Sequence, residues 1–203
     1  MTVTRQDAAG DHEGAKYGMW FFLFTEVLFF GGMFILYSVF RSKYPEAFHR
    51  AAAEENLLLG SINTAILLTS SLALALSLRA VQRGNRRLSL WLQSATVVMG
   101  GIFLVVKYFE WMEKISRGLY PGSAVLLKKE HGEILFFGLY YVMTGIHGLH
   151  VIIGMIVISS MIYFTASGKI TADNFTKLEN TGLYWHFVDI VWIYLFPLFY
   201  LIT

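Results

Sequence analysis

The last apolar run of the chain begins with GLYWHFVDIVW, residues 182–192. His186 and Asp189 stand three residues apart in it, a spacing that places both on one face of an α-helix, with Trp185 and Trp192 bracketing that face. A charged side chain at bilayer depth costs about 2.5–3.5 kcal/mol on insertion scales, so such residues usually face protein. The run therefore predicts a membrane-spanning helix that packs on other helices through polar side chains.

The composition predicts a polytopic membrane protein. The chain of 203 residues is 56% hydrophobic and 16% aromatic but only 15% charged, and most charges gather between long apolar runs. Such runs are typical of transmembrane helices. A formal net charge of +2 without a basic face indicates no nucleic-acid partner. The lack of cysteine excludes disulfides, iron–sulfur clusters and a cysteine-bridged dicopper centre.

Five apolar runs predict an all-α fold, a bundle of five transmembrane helices. We expect spans at about 17–40, 57–78, 88–112, 134–164 and 181–202. Together they form one domain, 17–203, that follows a polar N-terminal segment, 1–16. That segment contains three acidic residues and no apolar core, so we do not expect it to be a signal peptide. The loop 79–87 carries four arginines and no acid, which favours a cytoplasmic N-terminus.

The first two runs each contain one notable polar residue. Glu26, in FTEVLFF at 24–30, lies roughly 13 Å along its helix, at 1.5 Å per residue. It is either a carboxylic acid bonded to a neighbouring helix or a functional proton or ligand site. Asn63, in GSINTAILLTSS at 60–71, can donate a hydrogen bond across an interface that small residues keep close.

The fourth run contains two histidines in MTGIHGLHVIIG, residues 143–154. His147 and His150 share a helix face and form a possible metal half-site, because imidazole suits zinc, copper or iron. The pattern lacks the paired Glu-x-x-His motifs of di-iron bundles, so we favour a hydrogen-bonded network without a metal. The expected buried network consists of Glu26, Asn63, His147, His150, His186 and Asp189.

The third run ends in KYFEWME, residues 107–113. Lys107 and Glu110 are three residues apart and can pair on one face near the membrane boundary. Lys107 and Trp111 can equally anchor the helix at the interface. Neither possibility gives these residues a catalytic role.

Three of these motifs resemble subunit III of the haem–copper respiratory oxidases, the cytochrome c and quinol oxidases. TGIHGLHVIIG at 144–154 matches the family's Gly-His-Gly-Leu-His-Val signature almost letter for letter. TEVLFF at 25–30 is similar to its glutamate-bearing helix, and YWHFVDIVW at 184–192 is similar to its last helix. The resemblance covers nearly everything from 17 to 202.

The resemblance also bears on two glutamates. Glu110 stands beside an aromatic residue as in the family, and Glu179 stands seven residues before His186, at the family's spacing. With Lys107, these glutamates are expected to form interfacial pairs or to contact lipid. No residue is expected to be catalytic.

The chain departs from the longer family members, which have seven spans. It has five and begins at the equivalent of their third, as five-span forms in quinol oxidases do. The family's lipid-holding cleft, between the first two helices and the rest, therefore has no counterpart within this chain. The segment 118–133 is also longer than the family pattern predicts.

The resemblance implies a non-catalytic subunit of a proton-pumping terminal oxidase in a bacterial inner membrane. It implies that haem and copper lie in the catalytic subunit I, on which this chain packs with other oxidase subunits. It further implies bound phospholipid and support of proton uptake. Two alternatives stay open: an accessory subunit of a nitric oxide reductase, and a free-standing membrane metal or proton carrier. Quinol and cytochrome c are both open as electron donors.

Overall fold

The computed structural model describes residues 5–202, with side chains described from residue 14 onward. Within that part of the chain the structure has six α-helices and no strand, and it is 84% helical. The helices are α1 (Arg5–Lys43), α2 (Pro45–Ala52), α3 (Leu57–Gln82), α4 (Arg86–Ser116), α5 (His131–Ala166) and α6 (Thr176–Tyr200). A 3-10 turn, Leu126–Lys128, lies between α4 and α5. The all-α prediction is confirmed.

Five of the helices are long and apolar enough to cross a membrane, which confirms the predicted bundle of five spans. They are Gly14–Lys43, Leu57–Gln82, Arg86–Ser116, His131–Ala166 and Thr176–Tyr200. Helices α4 and α5 extend past the predicted spans because Lys114 and Glu133, at those ends, have ion-pair partners. From Arg5 onward, the backbone of the polar N-terminal segment is part of α1. The side chains of residues 1–13 lie outside the described residues.

The short α2 is an element that hydropathy did not predict. It follows α1 directly and begins with Pro45, which suits the first turn of a helix because its missing N–H has no partner there anyway. Phe48 and Ala51 are fully buried on its inner face. This short amphipathic helix therefore covers one end of the bundle, where it packs on α5.

Two asparagine caps and one glycine define where α3 and α4 begin and where the chain turns between them. The side-chain oxygen of Asn56 accepts a hydrogen bond from the Leu59 amide, and that of Asn85 accepts one from the Leu88 amide, both at 3.1 Å. These asparagines are the N-caps of α3 and α4. Gly84 ends α3 with φ of 74°, a left-handed conformation that glycine adopts without steric cost. The tight turn makes α3 and α4 antiparallel neighbours.

Helix α6 lies at the centre of the bundle and contacts α1, α3 and α5. Trp185 and Trp192 are completely buried on it, and each indole donates a hydrogen bond to a hydroxyl on α3. Helix α1 packs on α5 and α6, but only 11% of its spanning window is buried. Most of its apolar surface is therefore open to lipid or to another protein.

Candidate functional site

The densest group of charges inside the bundle surrounds Glu110 on α4. Its Oε2 lies 3.2 Å from Lys107 Nζ, and its Oε1 lies 3.3 Å from Lys114 Nζ. The exposed fractions of these three residues are 1%, 7% and 4%. Spacings of three and four residues place the side chains on one helix face, which α4 turns inward. A buried charge is tolerated when it is paired, and Glu110 is the carboxylate that Lys107 and Lys114 share.

Two tyrosines from other helices complete the surroundings of Glu110. The hydroxyls of Tyr140, on α5, and Tyr200, on α6, donate to Glu110 Oε1 at 2.6 and 2.5 Å. The same hydroxyls accept from Lys107 Nζ at 3.1 and 2.6 Å. Charge-assisted hydrogen bonds are about twice as strong as neutral ones. The arrangement therefore fastens α4 to α5 and α6 at one end of the bundle.

Glu55, in the turn between α2 and α3, joins that turn to this site. Its Oε2 lies 2.8 Å from Lys114 Nζ, and its side chain is fully buried. Burial raises the pKa of the Glu55 carboxyl to about 8, a shift that the Lys114 ammonium opposes only in part. We call the set Glu55, Lys107, Glu110, Lys114, Tyr140 and Tyr200 the Glu110 cluster.

The raised pKa of Glu55 predicts a pH-dependent stability. Between its ordinary value of 4.5 and about 8, the folded chain holds a proton on Glu55 that the unfolded chain has lost. This contribution to stability is complete at low pH and is lost as the pH rises toward 8. We expect the thermal midpoint to fall by several degrees between pH 5 and 9, and Glu55→Gln to flatten this dependence. Thermal unfolding in detergent measures it.

The neighbouring Glu54 provides the control for that experiment. Its side chain is 38% exposed and lies 3.6 Å from Lys129 Nζ, whereas the Glu55 side chain is fully buried. The Glu54→Gln chain should retain the pH dependence of the wild type. A Glu55→Gln chain with the slope of the wild type would contradict the assignment.

A second polar site joins α1 to α5 through Glu26 and His150. Glu26 Oε2 lies 3.1 Å from His150 Nε2, and His150 Nδ1 lies 2.8 Å from the Ile146 carbonyl oxygen. A carbonyl only accepts, so Nδ1 carries a proton. The Glu26–His150 contact then holds one further proton, on either the imidazole or the carboxyl. The two side chains are 19% and 13% exposed, so this proton lies near the surface of the bundle.

His186 and Asp189 are connected through Ser71 on α3. The Ser71 hydroxyl lies 2.5 Å from His186 Nδ1 and also faces the Asp189 carboxyl. Asp189 is buried, and its Oδ1 has no hydrogen-bond partner within the described part of the chain. The sequence of the run 60–71 did not single out Ser71 for this role, since spacing alone does not reveal which helix faces α6.

His147 and Asn63 lie apart from these contacts. Both are completely buried, and neither side chain has a hydrogen-bond partner among the described residues. The His147 ring lies 5.2 Å from the Trp192 ring and 5.6 Å from the Phe103 ring, between centroids. The six residues expected in one network thus occupy three places: the Glu26–His150 contact, the Ser71 contacts and this aromatic interior.

Comparison with known proteins decides the family. The sequence profile described as cytochrome c oxidase subunit III matches residues 2–203. The chain belongs to the cytochrome c oxidase subunit III family. The motif-based prediction of a haem–copper oxidase subunit III is therefore confirmed, and with it the membership of the respiratory chain that this family implies.

Three relatives show how far the similarity of this subunit III chain extends. Cytochrome c oxidase subunit 3 of Thermostichus vulcanus is 33% identical over 100% of this chain and 94% of the relative. The Synechocystis sp. protein of the same name is 34% identical over 99% of this chain and 82% of the relative. Heme-copper oxidase subunit I+III of Aeropyrum pernix is 33% identical over 91% of this chain, which corresponds to 22% of that longer protein.

In the part of this subunit III whose side chains are described, the expected histidines do not meet as a metal-ligand set. Among the residues with described side chains, no three of the types His, Cys, Asp and Glu form a group that could hold a metal ion. His147 and His150 share a helix, but His150 turns toward Glu26 and His147 toward aromatic rings. The two histidines are three residues apart on one helix, but their side chains contact different neighbours.

The three residues expected at the membrane interface have different surroundings in this subunit III. Lys107 and Glu110 pair inside the bundle rather than against lipid, because tyrosines and Lys114 satisfy both charges there. Glu179 Oε2 lies 3.1 Å from Lys16 Nζ, in a pair that is only partly exposed. The spacing between Glu110 and Lys114 was a signal that sequence reasoning passed over.

Proposed function

We propose that this chain is the non-catalytic subunit III of a proton-pumping terminal oxidase that reduces oxygen to water. The observation that carries the proposal is the match to a relative whose name joins subunits I and III in one polypeptide. That match covers 91% of this chain, so the counterpart of most of the bundle belongs to a protein named for both subunits. We infer that subunit I holds the haem and copper and that this chain packs on it.

The exposed surface of α1 supports a partner of this kind. Its side chains include Tyr17, Phe21, Leu28 and Ile35, with exposed fractions of 72%, 71%, 60% and 68%. Such a surface requires lipid tails or an apolar protein partner. Bound phospholipid and other oxidase subunits are part of the proposal for the same reason.

We place the protein in a bacterial inner membrane with its N-terminus on the cytoplasmic side. The turn between α3 and α4 lies at the same end of the bundle as the start of α1, since spans alternate in direction. That turn and its flanks carry Arg79, Arg83, Arg86 and Arg87. Positive charge concentrates on the cytoplasmic side of membrane proteins, which supports this orientation.

The polar sites have distinct roles in this proposal. The Glu110 cluster holds α4, α5 and α6 together at the end away from the N-terminus. Glu26 and His150 hold a shared proton on the side of the bundle where α1 packs, a position suited to tuning proton supply to a neighbouring subunit. Neither site takes part in oxygen reduction in this proposal.

Removal of this chain from the purified complex is the test of the supporting role. We expect detergent stripping to leave the reduced-minus-oxidised haem bands intact, because this chain supplies no haem ligand in the proposal. We also expect activity to decline over successive turnovers, since an apolar surface of subunit I loses its cover. Spectra and turnover-dependent activity are measured on the same sample.

A mock-treated complex and a complex reconstituted with purified chain are the controls. Reconstitution should restore sustained turnover. Loss of a haem or copper signal in proportion to the chain removed would show that the chain holds a cofactor. Recovery of this chain as a single species, without subunit I, from gently solubilised membranes would contradict the proposed partnership.

A further inference from the structure

A polar pocket lies at the end of the bundle away from the N-terminus and adjoins the Glu110 cluster. Its volume is about 400 Å³. The turn between α2 and α3, the start of α3 and the end of α4 form its walls, which include Glu54, Glu55, Leu58, Glu113, Lys114 and Arg117. Leu58 is 69% exposed, so the pocket opens to the surface. Since Glu55 and Lys114 belong to the cluster, the pocket reaches the buried charges from outside the bundle.

Glu55 differs from the other two carboxylates of the pocket walls. Glu54 and Glu113 are 38% and 50% exposed, and each pairs with Arg117. The Glu55 side chain is fully buried, and its Oε1 has no hydrogen-bond partner within the part of the chain that the structure describes. An unpaired buried carboxylate oxygen costs free energy, and a proton on the group removes the charge that burial disfavours. Glu55 is therefore the carboxyl of this pocket that favours a proton.

Either protonation state of Glu55 leaves both buried lysines paired. Lys114 Nζ lies 2.8 Å from Glu55 Oε2 and 3.3 Å from Glu110 Oε1. With Glu55 ionised, two carboxylates balance the two ammonium groups. With Glu55 neutral, Glu110 still pairs with Lys107 and Lys114, and one fewer charge is buried. A proton can therefore bind to Glu55 or leave it without an unpaired lysine.

The groups that face Glu55 from the neighbouring helices do not compete for this proton. Two lysines, one carboxylate and three tyrosine hydroxyls face it from α4, α5 and α6: Lys107, Glu110, Lys114, Tyr140, Tyr141 and Tyr200. A tyrosine hydroxyl is ordinarily neutral below about pH 10. Glu110 is 1% exposed and is enclosed by both lysines and two of these hydroxyls, so the pocket does not reach it.

Aromatic side chains close the cluster toward the interior of the membrane. Lys107 Nζ contacts three oxygens within the cluster, and these contacts use its three protons. The next inward residue on this face of α4 is Phe103, which is 1% exposed and whose ring lies 4.8 Å from that of the buried Trp192. Proton transfer requires groups or water within hydrogen-bond reach, which this aromatic contact does not offer. Protons therefore reach the cluster from the pocket rather than from the opposite side.

We propose that Glu55 is a proton-binding site that exchanges with the outer solution through this pocket and not with the other side of the membrane. Lys114 lies in the pocket wall and connects the pocket to Glu55. It passes a proton to the Glu55 carboxylate and takes one from an acid in the pocket, so one O–H bond forms on Glu55 and no electron moves.

This inference rests on the proposed function, because the orientation and the proton pump are part of that proposal. Under both, the pocket faces the solution that receives pumped protons. The fraction of chains with a proton on Glu55 then rises as pumping acidifies that solution. The subunit thereby responds to the pH that its own complex produces.

Infrared measurements on oriented complexes test this inference. Purified complexes are reconstituted in vesicles, and an affinity tag on the N-terminus separates vesicles in which the pocket faces the medium from vesicles in which it faces the lumen. The pH of the medium is lowered through about 8, the pKa that burial gives the Glu55 carboxyl. We expect a protonated-carboxyl band to appear in the first population. In the second, we expect it only after a protonophore is added.

Two pairs of variants assign the band to Glu55 and the route to the pocket. Glu55→Gln should lack the band, and Glu54→Gln should keep it. Leu58→Trp enlarges a side chain of the pocket wall and should slow the appearance of the band several-fold. Leu72→Trp is the matched control, because Leu72 is 59% exposed further along the same helix, and it should leave the rate unchanged.

Three results would overturn the inference. A band of equal size in both vesicle populations would show that the site is also open to the other side. A band that Glu55→Gln retains would place the proton on another group. An unchanged rate in Leu58→Trp would exclude the pocket as the route. Accessibility of the tag in intact cells tests the orientation separately: a tag on the outer surface would overturn the link to pumped protons but not the exchange through the pocket.

Discussion

Glu110→Ala is expected to prevent most of the chain from assembling into its complex. The substitution leaves Lys107 buried without its carboxylate and Lys114 with Glu55 alone, and Tyr140 and Tyr200 lose the acceptor that joins them to α4. Removal of one partner from a buried ion pair costs about 3–5 kcal/mol, a large part of the stability of an ordinary domain. The yield of complex per unit of synthesised chain measures the effect.

Glu113→Ala is the matched control on the same helix. Glu113 pairs with Arg117, but both side chains are about half exposed, so the pair contributes about 0–1 kcal/mol. The control should assemble like the wild type. Glu110→Gln keeps an acceptor but removes the charge, and we expect an intermediate yield. Normal assembly of Glu110→Ala would show that water or lipid headgroups replace the carboxylate and that the cluster does not fix the helices.

Gly154→Ala adds only one methyl group, but we expect it to lower the thermal midpoint strongly. A Cβ on Gly154 would lie 2.7 Å from Trp185 Cε3 and 3.3 Å from Tyr184 Cε1. The Trp185 ring is buried, and its Nε1 donates to Ser70 Oγ at 3.0 Å, so the ring moves only if that hydrogen bond is lost. Overpacking of this kind costs about 1–3 kcal/mol.

Gly138→Ala isolates the steric effect from the effect of removing a glycine. Gly138 lies on the same helix, and a Cβ there would meet no atom within 4 Å. Alanine restricts the unfolded chain and favours a helix, so this variant should gain about 0.5–1 kcal/mol. Opposite shifts of the thermal midpoint in the two variants are the expected result. A gain in both would show that α5 and α6 separate more easily than their contact indicates.

The number and kind of the long helices could be predicted from the sequence. In a lipid environment each span must satisfy its own backbone hydrogen bonds, so an apolar run of sufficient length has few alternatives to a helix. The structure adds the exact starts of α3 and α4, where the side chains of Asn56 and Asn85 cap free amides of the first turn. The signature at 144–154 also indicated the family, since so many of its residues match in order.

Which polar groups meet was decided by the tertiary structure. Spacing placed His186 and Asp189 on one face, but Ser71, from a helix more than a hundred residues earlier, is the residue that both face. Periodicity gives the direction in which a side chain points from the axis of its helix. It does not give which other helix lies on that side. His150 and His147, with the same spacing, accordingly face a carboxylate and two aromatic rings.

The Glu110 cluster shows most clearly which contacts the sequence determines and which only the tertiary structure decides. The sequence by itself determined that Lys107 and Glu110 share a face, because helix geometry fixes neighbours three and four residues apart. Only the packing of α4 against α5 and α6 put Tyr140 and Tyr200 on Glu110, and only the turn after α2 brought Glu55 to Lys114. Local spacing is a property of one helix, whereas the partners of a buried charge depend on how several helices meet.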